Sequence, residues 1–197
     1  MSVLTVERQP WQGANQFGIP YPSYFHPSTW QEMLTWQRKV AKPTGPTCSP
    51  SSADQEGVGE GGHTERVHKA MRRVDSVLPH EMRLQRLPAT YTRRSTFDSV
   101  LAGCIPCSFR RTRRTRSTSG FYRRISTFSV YIDEKSDASK RIEDELLKIP
   151  KEKVEMMREK VIEMIPSLTY AHPNASGIGF RDAVDVALAS LANHVTN

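Results

Sequence analysis

Apolar positions along this chain fall into short runs separated by long polar intervals, and the spacing inside each run predicts an element. In residues 90–106, TYTRRSTFDSVLAGCIP, Phe97, Val100 and Leu101 stand three and four residues apart, which puts them on one face of a helix. Gly103 suits the left-handed position that ends a helix, and Cys104-Ile105-Pro106 follows it. The stretch reads as loop, short helix, stop, strand. Upstream, residues 2–7 suit a short buried strand, and Ser28 is placed to cap a helix patterned on Trp30, Met33, Leu34 and Gln37. Downstream, Phe128, Val130 and Ile132 alternate in a strand over 126–132 that ends at Asp133-Glu134. Three helical stripes come next. Ile142, Leu146 and Ile149 form one ended by Pro150. Val154, Met157, Val161 and Met164 form a second, with Glu155 and Glu159 outside, closed before Pro166. Ala183, Val184, Ala187, Leu188, Leu191 and Val195 form a third.

The intervals between these runs have their own character. Pro10, Gly13, Gly18, Pro20, Pro22 and Pro27 break any helix at the start of the chain, and Trp11, Phe17, Tyr21, Tyr24, Phe25 and Trp30 are interleaved with them. Such a segment is either an extended loop pinned by aromatics or a sugar-stacking surface, since pocket walls are commonly aromatic. From 38 to 88, PTGPTCSPSSADQEGVGEGGH has almost no periodic apolar residues and reads as disordered, while ERVHKAMRRVDSVLPHEMRLQRL suits a basic amphipathic helix. Between Cys107 and Ile125 stand Arg110, Arg111, Arg113, Arg114, Arg116, Arg123 and Arg124, with Phe109, Phe121 and Tyr122 nearby. An arginine-rich tract of this kind can follow a phosphate backbone and stack on bases, or be a solvated loop.

Composition narrows the field only slightly. A length of 197 residues allows one or two domains, and a 37% hydrophobic fraction with a net charge of +7 is low in core-forming residues for its size. A sequence pI near 9.5 suits nucleic acid, an anionic membrane or an anionic ligand such as a nucleotide diphosphate. No apolar run approaches the roughly 18 residues of a membrane span, and no targeting segment is read at the start. Three cysteines make an odd count. The Cys104–Cys107 pair has C-x-x-C spacing but follows a helix rather than opening one, so packing thiols are expected. A second ligand pair for a metal is lacking, His63 and His68 being poorly placed, so no metal is expected. Asn174-Ala175-Ser176 is a glycosylation sequon.

The charges on the central helix carry the chemistry. Thr92 is placed to cap it, and its first turn has unpaired backbone N–H groups, a partial positive charge and the guanidinium of Arg93 or Arg94. That is a seat for a diphosphate. Asp98 lies four residues after Arg94, about 6 Å along the axis, within reach of the hydroxyls of a ribose whose phosphates sit at the helix start. The plainer reading is an Arg94–Asp98 pair on a wet helix face.

YTRRSTFDSVLAGCIP resembles the donor-binding motif of the exostosin-type glycosyltransferases, in the plant branch that includes the xyloglucan galactosyltransferases. VLTVERQPWQGANQFGIPYPSYFHPSTWQEMLTWQ and the segment from FSVYIDEKSDASKR to DAVDVALASLANHV are similar to the same branch, in the same order. The resemblance implies an α/β fold: a partial Rossmann-like donor lobe of a GT-B-type enzyme with a C-terminal helical buttress. Residues 1–37 would end the acceptor lobe and join the lobes, 38–88 diverge, and 89–197 form the donor-binding region, with 107–124 a divergent tract. It implies transfer of a hexose, galactose being the expectation, from a UDP-sugar to a cell-wall polysaccharide such as xyloglucan, with inversion and no cofactor beyond the donor. Thr92, Arg93, Arg94, Ser95 and Asp98 would bind that donor, with Ser95 and nearby backbone amides on phosphate oxygens. The general base is expected in a preceding half of the enzyme, and a single lobe is expected to bind without completing transfer. The resemblance also implies a Golgi membrane protein facing the lumen, anchored by a segment ahead of this chain. Loss and abrupt recovery of similarity around 107–124 suggest two compensating reading-frame shifts. An arginine-rich nucleic-acid binder and a non-functional gene fragment are the alternatives.

Overall fold

The computed structural model describes residues 3–6, 16–42, 84–86, 94–108, 127–133 and 135–195. Strand β1 (Val3–Thr5) pairs in parallel with β2 (Gln16–Gly18). Helix α1 (Trp30–Ala41) follows. β3 (Leu84–Arg86), α2 (Arg94–Leu101), β4 (Ile105–Ser108) and β5 (Val130–Tyr131) come next, the three strands forming a parallel sheet in the order β3-β4-β5. A 3-10 turn (Asp137–Lys140) leads to α3 (Ile142–Leu147), α4 (Lys151–Leu168) and α5 (Ala183–Val195). This mixture of helices and a small parallel sheet is compatible with the expected α/β class.

Parallel neighbours need a crossover, and between β3 and β4 that crossover contains α2. Leu84–Arg86 falls within the segment whose pattern suited a basic helix. It is a strand instead, aligned on Ile105–Cys107, because ladder pairing in a sheet overrides a weak local propensity. The rest of that segment, and the arginine-rich tract from 109 to 126, lie outside the described residues. The strand expected over 126–132 is shorter, but its alternation holds: Phe128 and Ile132 are buried and Tyr131 is exposed.

α2 joins two apolar clusters. Phe97 and Val100 enter the larger one, with Ile105, Cys107 and Phe128 from the sheet side and Val154, Met157, Val161 and Met164 from α4. Leu101 enters the smaller, with Met33 and Val40 of α1 and Ile165 of α4. The stop is as the sequence predicts. Cys104 N donates to Ser99 O and Gly103 N to Val100 O, both at 2.9 Å, with Gly103 at φ 77°, the paired bonds of a Schellman end. A Cβ at Gly103 would also run into the Val40 side chain.

The expectations for three helices need correction. The cap of α1 is Thr29, not Ser28: Thr29 Oγ1 accepts from Glu32 N at 3.2 Å while Glu32 Oε2 accepts from Ser28 N at 2.7 Å, a reciprocal arrangement like the capping box. α1 also runs past Gln37 to Ala41, where buried Arg158 of α4 donates to the carbonyls of Val40 and Ala41 at 3.1 Å and satisfies a helix end. α4 does not close before Pro166 but continues to Leu168. Proline at 166 cannot donate to Ile162 O. That carbonyl accepts from Gln37 Nε2 at 2.8 Å instead. In α5 the buried face is the alanine face, Ala183 and Ala187, while Val184 and Leu188 are 46% and 52% exposed. Asp182 caps it, its Oδ1 accepting from Val184 N and Asp185 N at 2.9 and 3.0 Å.

Candidate functional site

In a βαβ unit the helix runs back against the strands, so the first turn of α2 lies toward the carboxyl ends of the sheet, where open α/β sheets bind ligands. Arg94 sits in that turn, 57% exposed, and Asp98 one turn later, 32% exposed, with Arg94 Nε 3.3 Å from Asp98 Oδ2. The i, i+4 pair is therefore present. It leaves one feature over: Asp98 Oδ1 is closed off from solvent and has no hydrogen-bond partner among the described residues. Burial pushes the Asp98 carboxyl above its ordinary value, and the Arg94 guanidinium, which pulls the other way, only offsets part of this. An exposed ion pair contributes about 0–1 kcal/mol, too little to explain a carboxylate oxygen kept dry, since buried polar atoms are normally paired.

Of the other expected donor-binding residues, Ser95 falls in the same first turn, and Thr92 and Arg93 lie outside the described residues. Toward the other end of α2 stands a group of aromatics from the opening segment. Trp36 Nε1 donates to Leu101 O at 3.0 Å. Phe25 stacks on Trp36 at 4.6 Å between centroids, Tyr24 meets it edge-on at 6.1 Å, and Lys39 Nζ lies 5.2 Å from the Trp36 ring centre. The segment carrying Tyr24 and Phe25 is tied to the stretch after α4: Tyr170 Oη donates to Pro20 O at 2.7 Å, His172 N donates to Pro27 O at 3.1 Å, and His26 Nδ1 lies 3.0 Å from Tyr170 O. Burial, with Asp182 nearby, pushes the Tyr170 phenol up to about 12, so it remains a hydrogen-bond donor throughout the physiological range.

Tyr24 joins the aromatic group to the acidic side chain. Its phenol is raised above the ordinary value by burial and then by the Asp98 carboxylate. The sequence placed Tyr24 in an aromatic-rich loop but had no signal connecting it to Asp98. An open depression of about 530 Å³ lined by Thr5, Val6, Tyr21 and Pro22 adjoins the same segment but is not lined by Arg94 or Asp98. Among the described residues no cluster of three or more His, Cys, Asp or Glu is placed to hold a metal ion. No helix of the described residues is long and apolar enough to cross a membrane. The expectation of packing thiols holds for buried Cys107, which is not in a disulfide, and fails for Cys104, which is disulfide-bonded. The partner of Cys104 lies outside the described residues, and C-x-x-C spacing alone could not reveal it.

The chain is 43% identical over 216 residues to a probable xyloglucan galactosyltransferase of Arabidopsis thaliana, covering 98% of this chain and 47% of the relative. It is 35% identical over 223 residues to the xyloglucan galactosyltransferase MUR3 of the same plant, covering 100% of this chain and 36% of the relative. A xyloglucan-specific galacturonosyltransferase, also of Arabidopsis thaliana, is 30% identical over 223 residues, covering 95% of this chain and 32% of the relative. The chain thus spans less than half the length of each of these proteins. The alignments are longer than the 197 residues here, so these relatives carry positions that this chain lacks. No protein-family model and no solved structure matches the chain. Similarity running through nearly the whole chain, across relatives named for the same polysaccharide, makes this a chain similar to the plant xyloglucan galactosyltransferases.

Proposed function

We propose that this chain is the donor-binding part of a glycosyltransferase that moves a hexose, galactose in the first instance, from a UDP-sugar to xyloglucan with inversion. The observation that carries the reading is the first turn of α2, with an exposed Arg94 beside an Asp98 whose Oδ1 is buried and has no hydrogen-bond partner among the described residues. A diphosphate on the helix start would take Arg94, with Ser95, Thr92, Arg93 and backbone amides around it. A ribose hydroxyl donating to Asp98 would satisfy the idle oxygen. The parallel strands with α2 between them would be the remaining part of a Rossmann-like lobe of GT-B type, and α3 to α5 its buttress. The acceptor hydroxyl needs a general base to remove its proton as it attacks the anomeric carbon. That base is assigned to the part of the enzyme that the longer relatives possess and this chain does not span. The relatives include transferases named for galactose and for galacturonic acid, which supports a shared region that serves the nucleotide more than any one sugar. A disulfide at Cys104 supports an oxidising lumen such as that of the Golgi as the working compartment.

Calorimetric titration of the chain with UDP and UDP-galactose tests this reading. Both are expected to bind, and Arg94→Ala is expected to weaken binding by about 10- to 100-fold, the equivalent of one charge-assisted hydrogen bond. Absence of UDP binding, or binding indifferent to Arg94→Ala, overturns it.

A further inference from the structure

Resting on the donor-site reading, we propose that Tyr24 is the stacking platform for the nucleobase of the donor, completing a nucleotide site whose phosphate and ribose contacts come from α2. Tyr24 is 58% exposed, a large share for an aromatic ring set in a packed group. It is nevertheless held in place. Trp36 stands edge-on to it at 73°, Trp36 is stacked on Phe25, and the indole N–H is anchored on Leu101 O. The backbone on either side is fastened as well, through Pro20 to Tyr170 and through Pro27 to His172. An exposed ring whose orientation is set in advance loses little entropy when a flat ligand lies on it.

Its position decides which part of the ligand it meets. Tyr24 packs edge-on against Trp36, whose indole N–H is bonded to Leu101 O three residues beyond Asp98 on α2, and the Asp98 carboxylate is among the causes that raise the Tyr24 phenol. That backbone carbonyl stands near the end of the helix. Along the helix axis the order is Arg94, Asp98, then the aromatic group. Phosphate, ribose and base follow one another in the same order in a nucleoside diphosphate. A base has two π-faces whatever its hydrogen-bonding edge, and an aromatic platform serves it at about 1–3 kcal/mol per base.

The test compares UDP with inorganic pyrophosphate on the 197-residue chain, by calorimetry, for wild type, Tyr24→Ala, Tyr24→Phe and Arg94→Ala. Tyr24→Ala is expected to weaken UDP by on the order of 10- to 100-fold and to leave pyrophosphate unchanged. Tyr24→Phe keeps the ring and is expected to retain UDP affinity within about threefold, well under one hydrogen bond to a charged group. Arg94→Ala is expected to weaken both ligands. If Tyr24→Ala binds UDP as wild type does while Arg94→Ala does not, the platform is overturned and the donor site stands. If Tyr24→Ala weakens UDP and pyrophosphate equally, the residue only supports the fold and the inference is likewise overturned. Failure of wild type to bind UDP overturns both readings.

Discussion

Asp98 is the residue on which the site turns, and its titration offers a check independent of any loss-of-binding variant. In the free protein its carboxyl is raised, chiefly by burial, so the proton is held more tightly than in an unfolded chain. Stability from this group is therefore greatest when it is protonated, and falls as pH rises through the raised value. A ribose hydroxyl donating to Oδ1 reverses the preference, because it favours the ionised form. Binding then releases a proton. Affinity for UDP-galactose, whose phosphates do not titrate in this range, is expected to rise as pH climbs through the raised Asp98 value, and Asp98→Asn is expected to abolish that slope. A wild-type slope identical to that of Asp98→Asn would show that Asp98 does not meet the donor. The pairing of Arg94 with Asp98 was legible from their spacing. The dryness of one oxygen and the approach of Tyr24 were not, because both depend on which segments fold over α2.

At the scale of elements, the junction of α1 and α4 shows how a local rule is overruled. Proline normally ends a helix or bends it at a cost of about 3 kcal/mol or more, and the sequence predicts a stop before Pro166. Instead α4 runs on, and Gln37 of α1 supplies the donor that Pro166 cannot. The two residues are therefore coupled. Gln37→Leu is expected to destabilise the fold by about 1–3 kcal/mol by leaving Ile162 O unpaired. The same change is expected to matter much less in a Pro166→Ala background, where the backbone N–H returns to that carbonyl. A denaturant double-mutant cycle measures the difference, and strict additivity would remove the proposed role of Gln37. Gly103, by contrast, was fully legible. A helix stripe ending at a glycine predicts a left-handed stop, and both its φ of 77° and the neighbouring Val40 exclude a side chain there. Gly103→Ala is expected to cost more than the about 1–2 kcal/mol of the left-handed conformation alone, read as a lowered thermal midpoint.

For the whole molecule, compartment and modification go together. Cys104 is buried and disulfide-bonded, a state that persists in oxidising lumens and is rare in the cytosol. Asn174, of the sequon Asn174-Ala175-Ser176, is exposed in a turn between α4 and α5, and Gly177 beyond it has open space around it. A chain directed through the secretory pathway of a plant cell is thus expected to carry a glycan on Asn174. Endoglycosidase treatment is expected to shift its mobility, and Asn174→Gln to remove the shift. An unglycosylated product from correctly routed chain would count against the accessibility of this turn. The same turn lies close in sequence to His172, which helps fasten the Tyr24 segment, so binding of UDP by the Asn174→Gln chain is the appropriate control.

The amino-acid sequence by itself determined the face of α2, its stop at Gly103, the alternation around Phe128 and the Arg94–Asp98 pair, because each follows from spacing within one or two turns or a single strand. It also carried the family resemblance, since the three segments that resemble the exostosin-type branch are continuous stretches. Only the tertiary structure decided that residues 84–86 join the sheet, that α4 continues through Pro166, that alanines rather than Val184 and Leu188 face the core from α5, and that Cys104 is bonded. Only it brought Trp36, and Tyr24 packed on it, to the end of α2. Each of these depends on a partner distant along the chain, whose hydrogen bond, packing surface or charge outweighs the small energies that local sequence can express.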